Sequence, residues 1–157
     1  MRAEHINAFL VPSVEVLRRM ARTDVRVGRL TRFESSLPEH DWSIIIGLSG
    51  GISGSVVLSF CPEVARTLAG RIAREEPDEA ATGEIMGILS ELANTIVGNA
   101  TGHLSELGIR EGITPPTVVR GSQVRFDFAD STESIRVPLK TGAGALDMIV
   151  SLAKDKS

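Results

Sequence analysis

A long amphipathic pattern between Gly83 and Gly108 constrains the fold of this chain more than any other stretch. With 100° allowed per residue, its apolar side chains gather on one broad face, which predicts a helix that buries this face against a core. We interpret the histidine on this face as a packed side chain rather than a general base. The predicted core positions are Ile85, Leu89, Leu92, Ala93, Ile96, Ala100, His103, Leu104 and Leu107.

The opposite side of this predicted helix, here called the small-residue face, lacks the Lys and Arg that an exposed helix usually carries. Its members are Gly87, Glu91, Asn94, Thr95, Gly98, Thr101 and Gly102. Each glycine costs a helix roughly 1 kcal/mol relative to alanine, so we expect a neighbouring surface to approach the backbone closely. That neighbour is either a partner protein or the protein's own sheet. Glu91 and Asn94 favour a partner, because a carboxylate and a carboxamide are costly to bury without hydrogen bonds.

Composition narrows the class of protein. A chain of 157 residues with 42% hydrophobic content is long enough for one core and short for two, so we expect a single domain over residues 1–157. The net charge of −3, without a Lys/Arg cluster interleaved with aromatics, argues against nucleic-acid binding.

The lone cysteine, Cys61, fits a reducing cytoplasm and has no zinc-ligand spacing to the histidines. No apolar run approaches the length of a membrane span, so we expect a soluble cytoplasmic protein.

The remaining patterns predict helices and strands in an irregular order. We expect one helix over residues 4–21 and another that begins at Cys61 and ends before Pro77, followed by an acidic loop at residues 75–79. The predicted strands are residues 25–33, 42–48, 53–60, 118–119, 124–128, 134–139 and 145–152. Because these runs show no regular βαβ repeat, the sequence predicts an α+β fold with helices packed on one face of a largely antiparallel sheet.

Three short motifs carry a resemblance to a known family. They are Glu91-Leu92-Ala93-Asn94, the Ile-Val-Gly-Asn-Ala run at residues 96–100, and the Thr-Pro-Pro-Thr-Val-Val run at residues 114–119. In this combination they resemble the CheX branch of the CheC/CheX/FliY chemotaxis phosphatases, and the similarity extends over nearly the whole chain. The resemblance implies a continuous sheet, a homodimer formed through sheet edges, and an enzyme that dephosphorylates a phosphorylated CheY-like response regulator.

The side chains of Glu91 and Asn94 suit this chemistry. An aspartyl phosphate is already activated, so its hydrolysis chiefly needs a water placed in line with phosphorus, a role that glutamine has in GTPases. Asn94 could orient that water, because a carboxamide both accepts and donates hydrogen bonds. Glu91 could anchor the partner by binding the lysine that neighbours the phosphate in receiver domains. The sequence offers no metal ligands, so we expect no cofactor of its own and Mg²⁺ bound by the partner receiver.

The partner-binding surface implied by the resemblance lies around this pair. It comprises Gly87, Thr95, Gly98, Pro115 and Pro116. One of the two prolines corresponds to the motif proline, and we expect it to shape the loop beside the helix. Gly87 departs from the family pattern, which often has Asp or Ser four residues before the glutamate.

Other interpretations stay open. The domain could dock on a receiver or a signalling complex as a non-catalytic adaptor, or the small-residue face could serve only internal packing or self-association. A second Glu-x-x-Asn, at Glu4 and Asn7, could form a second site. Its position on the first turn of the predicted helix also suits the helix dipole and the helix cap, without any catalytic role.

Overall fold

The computed structural model of the protein describes residues 1–75 and 82–154, so most of the predicted acidic loop at residues 75–79 lies outside the described residues. The helices are α1 (Ala3–Ala21), α2 (Pro62–Ala73) and α3 (Thr82–Glu106). The strands are β1 (Val25–Val27), β2 (Thr31–Arg32), β3 (Trp42–Gly50), β4 (Gly54–Phe60), β5 (Glu111–Ile113), β6 (Thr117–Arg120), β7 (Thr132–Thr141) and β8 (Gly144–Ala153). The predicted α+β class is confirmed.

The eight strands form one antiparallel sheet in the order β1-β7-β8-β4-β3-β5, in which β2 also pairs with β7 and β6 also pairs with β3. The β3–β4 and β7–β8 hairpins form the centre of this sheet, and their four strands correspond to the strands predicted at residues 42–48, 53–60, 134–139 and 145–152. α1 packs over the β1 edge, whereas α3 packs over β3, β5 and β6 at the opposite edge. α1 and α3 also contact each other, so the two sheet edges are covered by different helices.

The central strands bury both faces of the sheet. On the helix side, alternate residues of β8 such as Met148 and Val150 join the main hydrophobic core. On the other side, here called the back face, Val57 and Ile149 lie opposite each other on β4 and β8 and are fully buried. The sheet therefore has a second, smaller core that involves no helix.

Two irregular segments, residues 33–41 and 121–131, lie against the back face and exclude water from it. The rings of Phe33 and Phe128, one from each segment, pack edge to face with centroids 5.0 Å apart. These aromatic side chains cover the strands in the way that helices cover the other face. The segments are thus structural parts of the fold and not free loops.

A charged network fixes the first of these segments to β7 and β8. The Glu39 carboxylate has no exposed surface, and the Arg136 guanidinium donates hydrogen bonds to both its oxygens at 2.9 and 2.6 Å. Arg136 also donates to Asp147 at 3.1 Å, and the Nε2 atom of His40 lies 3.3 Å from the same Asp147 oxygen. Because a buried carboxylate without a partner costs several kcal/mol, loss of Arg136 would release this segment from the sheet.

The prediction of one strand over residues 25–33 is wrong, because the structure divides it into β1 and β2. Pro138 lies opposite the break on β7, and a proline has no N–H to donate to a neighbouring strand. One hydrogen bond remains there, from the Gly28 N–H to the Pro138 carbonyl at 2.8 Å. The proline therefore interrupts the pairing of an otherwise continuous strand.

The predicted strand at residues 124–128 is also wrong, since this run belongs to the covering segment of the back face and has no strand partner. Its alternating apolar side chains reflect packing on a flat sheet surface, which selects the same alternation as strand pairing does. Conversely, the structure contains one strand, β5, that the sequence analysis did not predict. Glu111–Ile113 is too short to show a periodic pattern.

We expect the His40 interaction to make stability pH-dependent. The hydrogen bond to the Asp147 carboxylate raises the pKa of His40 above its ordinary value of 6.5, against the opposing effect of burial. A folded-state pKa above the unfolded one adds stability that is complete below pH 6.5 and is lost as the pH rises through the folded value. Urea unfolding of wild type and His40→Gln at a series of pH values should therefore give the largest difference in free energy on the acidic side. The same series in an Asp147→Asn background should show no such trend, and a difference that grows with pH would contradict the assignment.

Candidate functional site

The predicted long helix is confirmed as α3, and most of its predicted core positions are buried. Two of them are not. Leu107 is 44% exposed because the helix ends at Glu106 and the chain turns at Gly108, which has a left-handed φ of +82°. His103 is half-buried rather than packed in the core. The buried residues of α3 are Ile85, Met86, Leu89, Leu92, Ala93, Ile96, Val97, Ala100 and Leu104.

The small-residue face points away from the sheet. Gly87, Glu91 and Gly102 are exposed, and Gly98 is half-buried. A Cβ atom added at Gly87, Gly98 or Gly102 would meet no atom within 4 Å. The protein's own sheet and helices therefore do not require these glycines, and the internal-packing explanation of them fails among the described residues.

Glu91 and Asn94 stand side by side on this face, three residues apart and about 60° around the helix axis. Thr95, one residue further, donates its hydroxyl to the Glu91 backbone carbonyl at 2.8 Å, and Thr101 likewise donates to Gly98 at 2.6 Å. Both threonine hydroxyls are thus used within the helix. Among the residues that the structure describes, the side chains of Glu91 and Asn94 form no hydrogen bond or ion pair.

The structure adds one acid that we did not single out in the sequence. Glu84 is exposed on the first turn of α3, seven residues before Glu91. Seven residues are close to two helical turns, so both carboxylates lie on the same side of the helix. Glu84 lies within the predicted helix, and the same 100° arithmetic applied to its first turn places it on the side of Glu91.

The predicted proline pair lies on a different element. Pro115 and Pro116 connect β5 to β6 at the sheet edge under α3, with Pro115 exposed and Pro116 half-buried. Since prolines have no N–H to donate to the neighbouring strand β3, Thr114 forms the hydrogen bonds to that strand instead. Its N–H donates to the Gly47 carbonyl at 3.0 Å and its Oγ1 accepts from the Gly47 N–H at 2.8 Å. The prolines are therefore beside α3 and not on its small-residue face.

The second Glu-x-x-Asn lies on α1. Glu4 and Asn7 are both exposed, and the Glu4 carboxylate lies 3.7 Å from the Arg2 guanidinium and 3.9 Å from the His5 imidazole. This distinguishes Glu4 from the unpaired Glu91. A second site at Glu4 and Asn7 stays a prediction.

Other kinds of site find little support in the geometry. Within residues 1–75 and 82–154, no group of three or more His, Cys, Asp or Glu side chains could hold a metal ion. No described helix is long and apolar enough to cross a membrane. Cys61 is half-buried at the N-cap of α2. Two clefts near the β1–β2 edge contain no residue of α3, where Glu91 is exposed and Asn94 is half-buried.

Comparison with known proteins shows the family to which the chain belongs. The family described as "Chemotaxis phosphatase CheX" matches residues 42–140, which is more than half of the chain. The chain belongs to the CheX chemotaxis phosphatase family. A curated CheX relative, the CheY-P phosphatase CheX of Thermotoga maritima, is 30% identical over 130 residues, which cover 80% of this chain and 81% of the relative.

Solved structures of the CheX family and its superfamily share the fold. A CheC-like superfamily protein from Shewanella sp. PV-4 has a TM-score of 0.88 at 24% identity, over 98% of this chain and 100% of that one. The CheX subunit fold is also seen in the CheX-CheY-BeF3-Mg²⁺ complex from Borrelia burgdorferi, with a TM-score of 0.81, 24% identity, and coverage of 98% and 100%. At these identities the likeness is one of fold.

We expect alanine at Gly98 to stabilise the protein. The added methyl group meets no neighbour, and removal of an interior helical glycine is worth about 0.5–1 kcal/mol. Chemical unfolding should show this gain in free energy for Gly98→Ala and for Gly102→Ala. Gly50→Ala is a contrasting control, because Gly50 has a φ of +127° and its Cβ would collide with the Arg110 carbonyl, so this variant should be destabilised. Destabilisation by Gly98→Ala would mean that the small-residue face is packed in solution.

Proposed function

We propose that residues 1–157 form a single phosphatase domain that hydrolyses the phosphoryl group of a phosphorylated CheY-like response regulator. The observation that carries this proposal is the pair formed by the exposed Glu91 and the half-buried Asn94 on a glycine-rich helix face, where neither side chain has a partner among the described residues. Membership of a chemotaxis phosphatase family supports the reaction class, and the Thermotoga maritima relative is a CheY-P phosphatase.

Asn94 orients the attacking water in this mechanism. The reactive bond belongs to the partner, since an acyl phosphate needs no nucleophile from the phosphatase other than water. A carboxamide can accept a hydrogen bond from that water through its oxygen and donate one through its nitrogen, which restricts the orientation of the water. The glutamine of GTPases acts on water in the same way. Because the Asn94 side chain has no partner among the described residues, it is available to enter the site of another protein.

Glu91 fixes the position of the partner. An ionised carboxylate accepts but cannot donate, so it pairs with a cation, and in a receiver domain the lysine beside the phosphorylated aspartate is the cation in reach. A charge-assisted hydrogen bond at this point sets the register that brings Asn94 to the phosphorus. Glu84 adds negative charge on the same side of α3 and supports attraction of a basic site.

The surrounding residues shape the docking surface. Gly87 and Gly98 leave the helix backbone uncovered, and Thr95 keeps its hydroxyl on the helix, so a receiver surface can approach closely. Pro115 and Pro116 hold the adjoining β5–β6 link in one conformation. Mg²⁺ arrives with the regulator, as the composition of the Borrelia burgdorferi CheX-CheY-BeF3-Mg²⁺ complex suggests.

A non-catalytic adaptor is the second candidate. Gly87 favours it, because the family pattern often has Asp or Ser at this position, and a glycine offers no side chain for a polar contact with the partner. An adaptor would bind the phosphorylated regulator through the same face without turnover. The variants that follow distinguish the two candidates.

We expect Asn94→Ala to lower the rate of phosphate release from a phosphorylated CheY-like receiver about 100-fold while binding is retained. Glu91→Ala should instead weaken binding, by about tenfold or more, because the partner's lysine is left unpaired. Phosphate release and the dissociation constant of the complex with the BeF3-bound receiver measure the two effects. Asn99→Ala, on the same helix but about 140° away from Asn94, and Glu106→Ala are matched controls that should behave like wild type.

The outcome for wild type decides between the two candidates. Binding of the phosphorylated receiver without any phosphate release would establish an adaptor. Unchanged turnover in Asn94→Ala would remove the proposed mechanism even if the protein is a phosphatase.

We also propose a homodimer in which the β6 edges of two copies pair. β6 has a strand neighbour on one side within the described residues, and Val118 on this strand is 39% exposed. The opposite edge is less suited to self-pairing, because Arg26 on β1 lies beside Lys140 on β7 and a two-fold contact would bring these charges together.

We therefore expect Val118→Lys to raise the dissociation constant of the dimer about tenfold or more, as measured by sedimentation velocity. Val27→Lys is a closely matched control, since Val27 is also 39% exposed but lies at the opposite sheet edge. Equal weakening by both substitutions would contradict pairing through β6.

A further inference from the structure

An exposed basic strip lies on the side of the molecule that the proposed phosphatase site does not use. Between residues 18 and 32 the chain has six arginines and one aspartate, a net charge of +5, although the whole chain carries −3. The arginines are Arg18, Arg19, Arg22, Arg26, Arg29 and Arg32, and all are exposed. Arg22 donates to the Arg71 carbonyl at 3.2 Å, whereas the other five side chains form no hydrogen bond or ion pair with any described residue. A concentration of unpaired positive charge of this size is costly to the fold unless an anionic partner uses it.

An apolar groove runs through this basic strip. It lies between α1 and β1, is here called the α1–β1 groove, and is lined by Leu10, Val11, Val14, Glu15, Arg18 and Val27. Val11 is 42% exposed and Val27 is 39% exposed, which is high for aliphatic side chains of a helix and a strand. A second cleft follows along the same edge, where Leu30 and Ile135 are flanked by Arg32 and Glu133.

The groove lies at the opposite end of the sheet from α3. β1 and β2 pair with β7 at one end of the strand order, and α3 packs over β3, β5 and β6 at the other. A protein bound in the α1–β1 groove therefore has a separate surface from a receiver bound on α3. Charged side chains on an edge strand prevent its pairing with another sheet, and this role alone would explain the arginines. It would not explain the aliphatic side chains that line the groove.

We propose that the α1–β1 groove binds an acidic, amphipathic segment of another protein. Apolar side chains of this segment fill the clefts beside Val11 and Leu30, and its carboxylates pair with Arg18 and Arg32, which line the two clefts, and with the exposed Arg29. Apolar side chains that enter two clefts, with charged side chains around them, are typical of an amphipathic helix bound in a groove.

Charge decides against the two other occupants of such a groove. A second copy of this chain would place the arginine strip against itself, with Arg26 and Lys140 already adjacent across β1 and β7. An anionic membrane would meet the carboxylate of Glu15, which lines the α1–β1 groove, and that of Glu133, which lines the second cleft and pairs with the N-terminal amine of Met1. A protein segment can avoid these two acids by the placement of its own side chains.

The test is a selection from a displayed library of random peptides on the full-length protein, with counter-selection on the Val11→Glu variant. We expect the enriched peptides to be acidic with apolar residues at helical spacing. Binding of a selected peptide, measured by fluorescence anisotropy, should weaken about tenfold in Val11→Glu and in the Arg18→Glu/Arg32→Glu double variant. The matched controls are Leu107→Glu, at an equally exposed position on the other side of the molecule, and Arg125→Glu on the back-face segment, and both should bind like wild type.

The remaining outcomes overturn the proposal. These are enrichment of no peptide or of peptides without acidic residues, equal binding of a scrambled peptide of the same composition, and equal loss in the control variants. Sedimentation with vesicles of equal parts phosphatidylglycerol and phosphatidylcholine that depends on Val11 would establish a membrane surface instead, and a dimer lost in Val11→Glu would establish self-association. Because peptide binding is the readout, the result is independent of phosphatase activity, and Asn94→Ala should bind the peptide normally.

Discussion

Burial of one face of α3 against the sheet and α1 is the interaction on which the rest of this structure depends. Each large aliphatic side chain that is removed completely from water contributes about 1.5–3 kcal/mol. Ile85, Leu89, Leu92, Ile96 and Leu104 are all buried in this way. Their combined burial outweighs the roughly 3 kcal/mol that three interior glycines cost the helix. The fold can therefore hold this helix in place although three of the seven residues on its small-residue face are glycines.

This arrangement has a direct value for catalysis on another protein. Asn94 projects from a backbone that is fixed by a packed core on one side, so little conformational entropy is lost in the position of its Cα atom when a partner docks. The back face contributes to the same rigidity. Glu39 and Arg136 fasten a covering segment to the sheet, on the face where Val57 of β4 and Ile149 of β8 are fully buried.

Much of the site was predictable from sequence because it depends on a local period. The 100° repeat of a helix divides residues 83–106 into a buried face and an open face, and the Glu91 and Asn94 pair lies on the open one. Glu84 was missed because the small-residue face was assigned from Gly87 onwards and the first turn of the helix was left out. The other errors have tertiary causes. Pro138 on the neighbouring strand β7 interrupts the strand predicted at residues 25–33. Residues 124–128 show the alternation of a strand because they pack against the sheet. The basic strip also has no local period, since its arginines lie on a helix, a loop and two strands that only the fold brings together.

The vacant space above Gly87, Gly98 and Gly102 also has an evolutionary consequence. Substitutions at most surface positions of a helix disturb an existing contact, but here new side chains have room to enter without displacing an old one. Mutations that alter which regulator is recognised can therefore accumulate on this helix while thermal stability is held constant or even rises. Paralogues in one cell could diverge in this way to serve separate signalling circuits on a common scaffold.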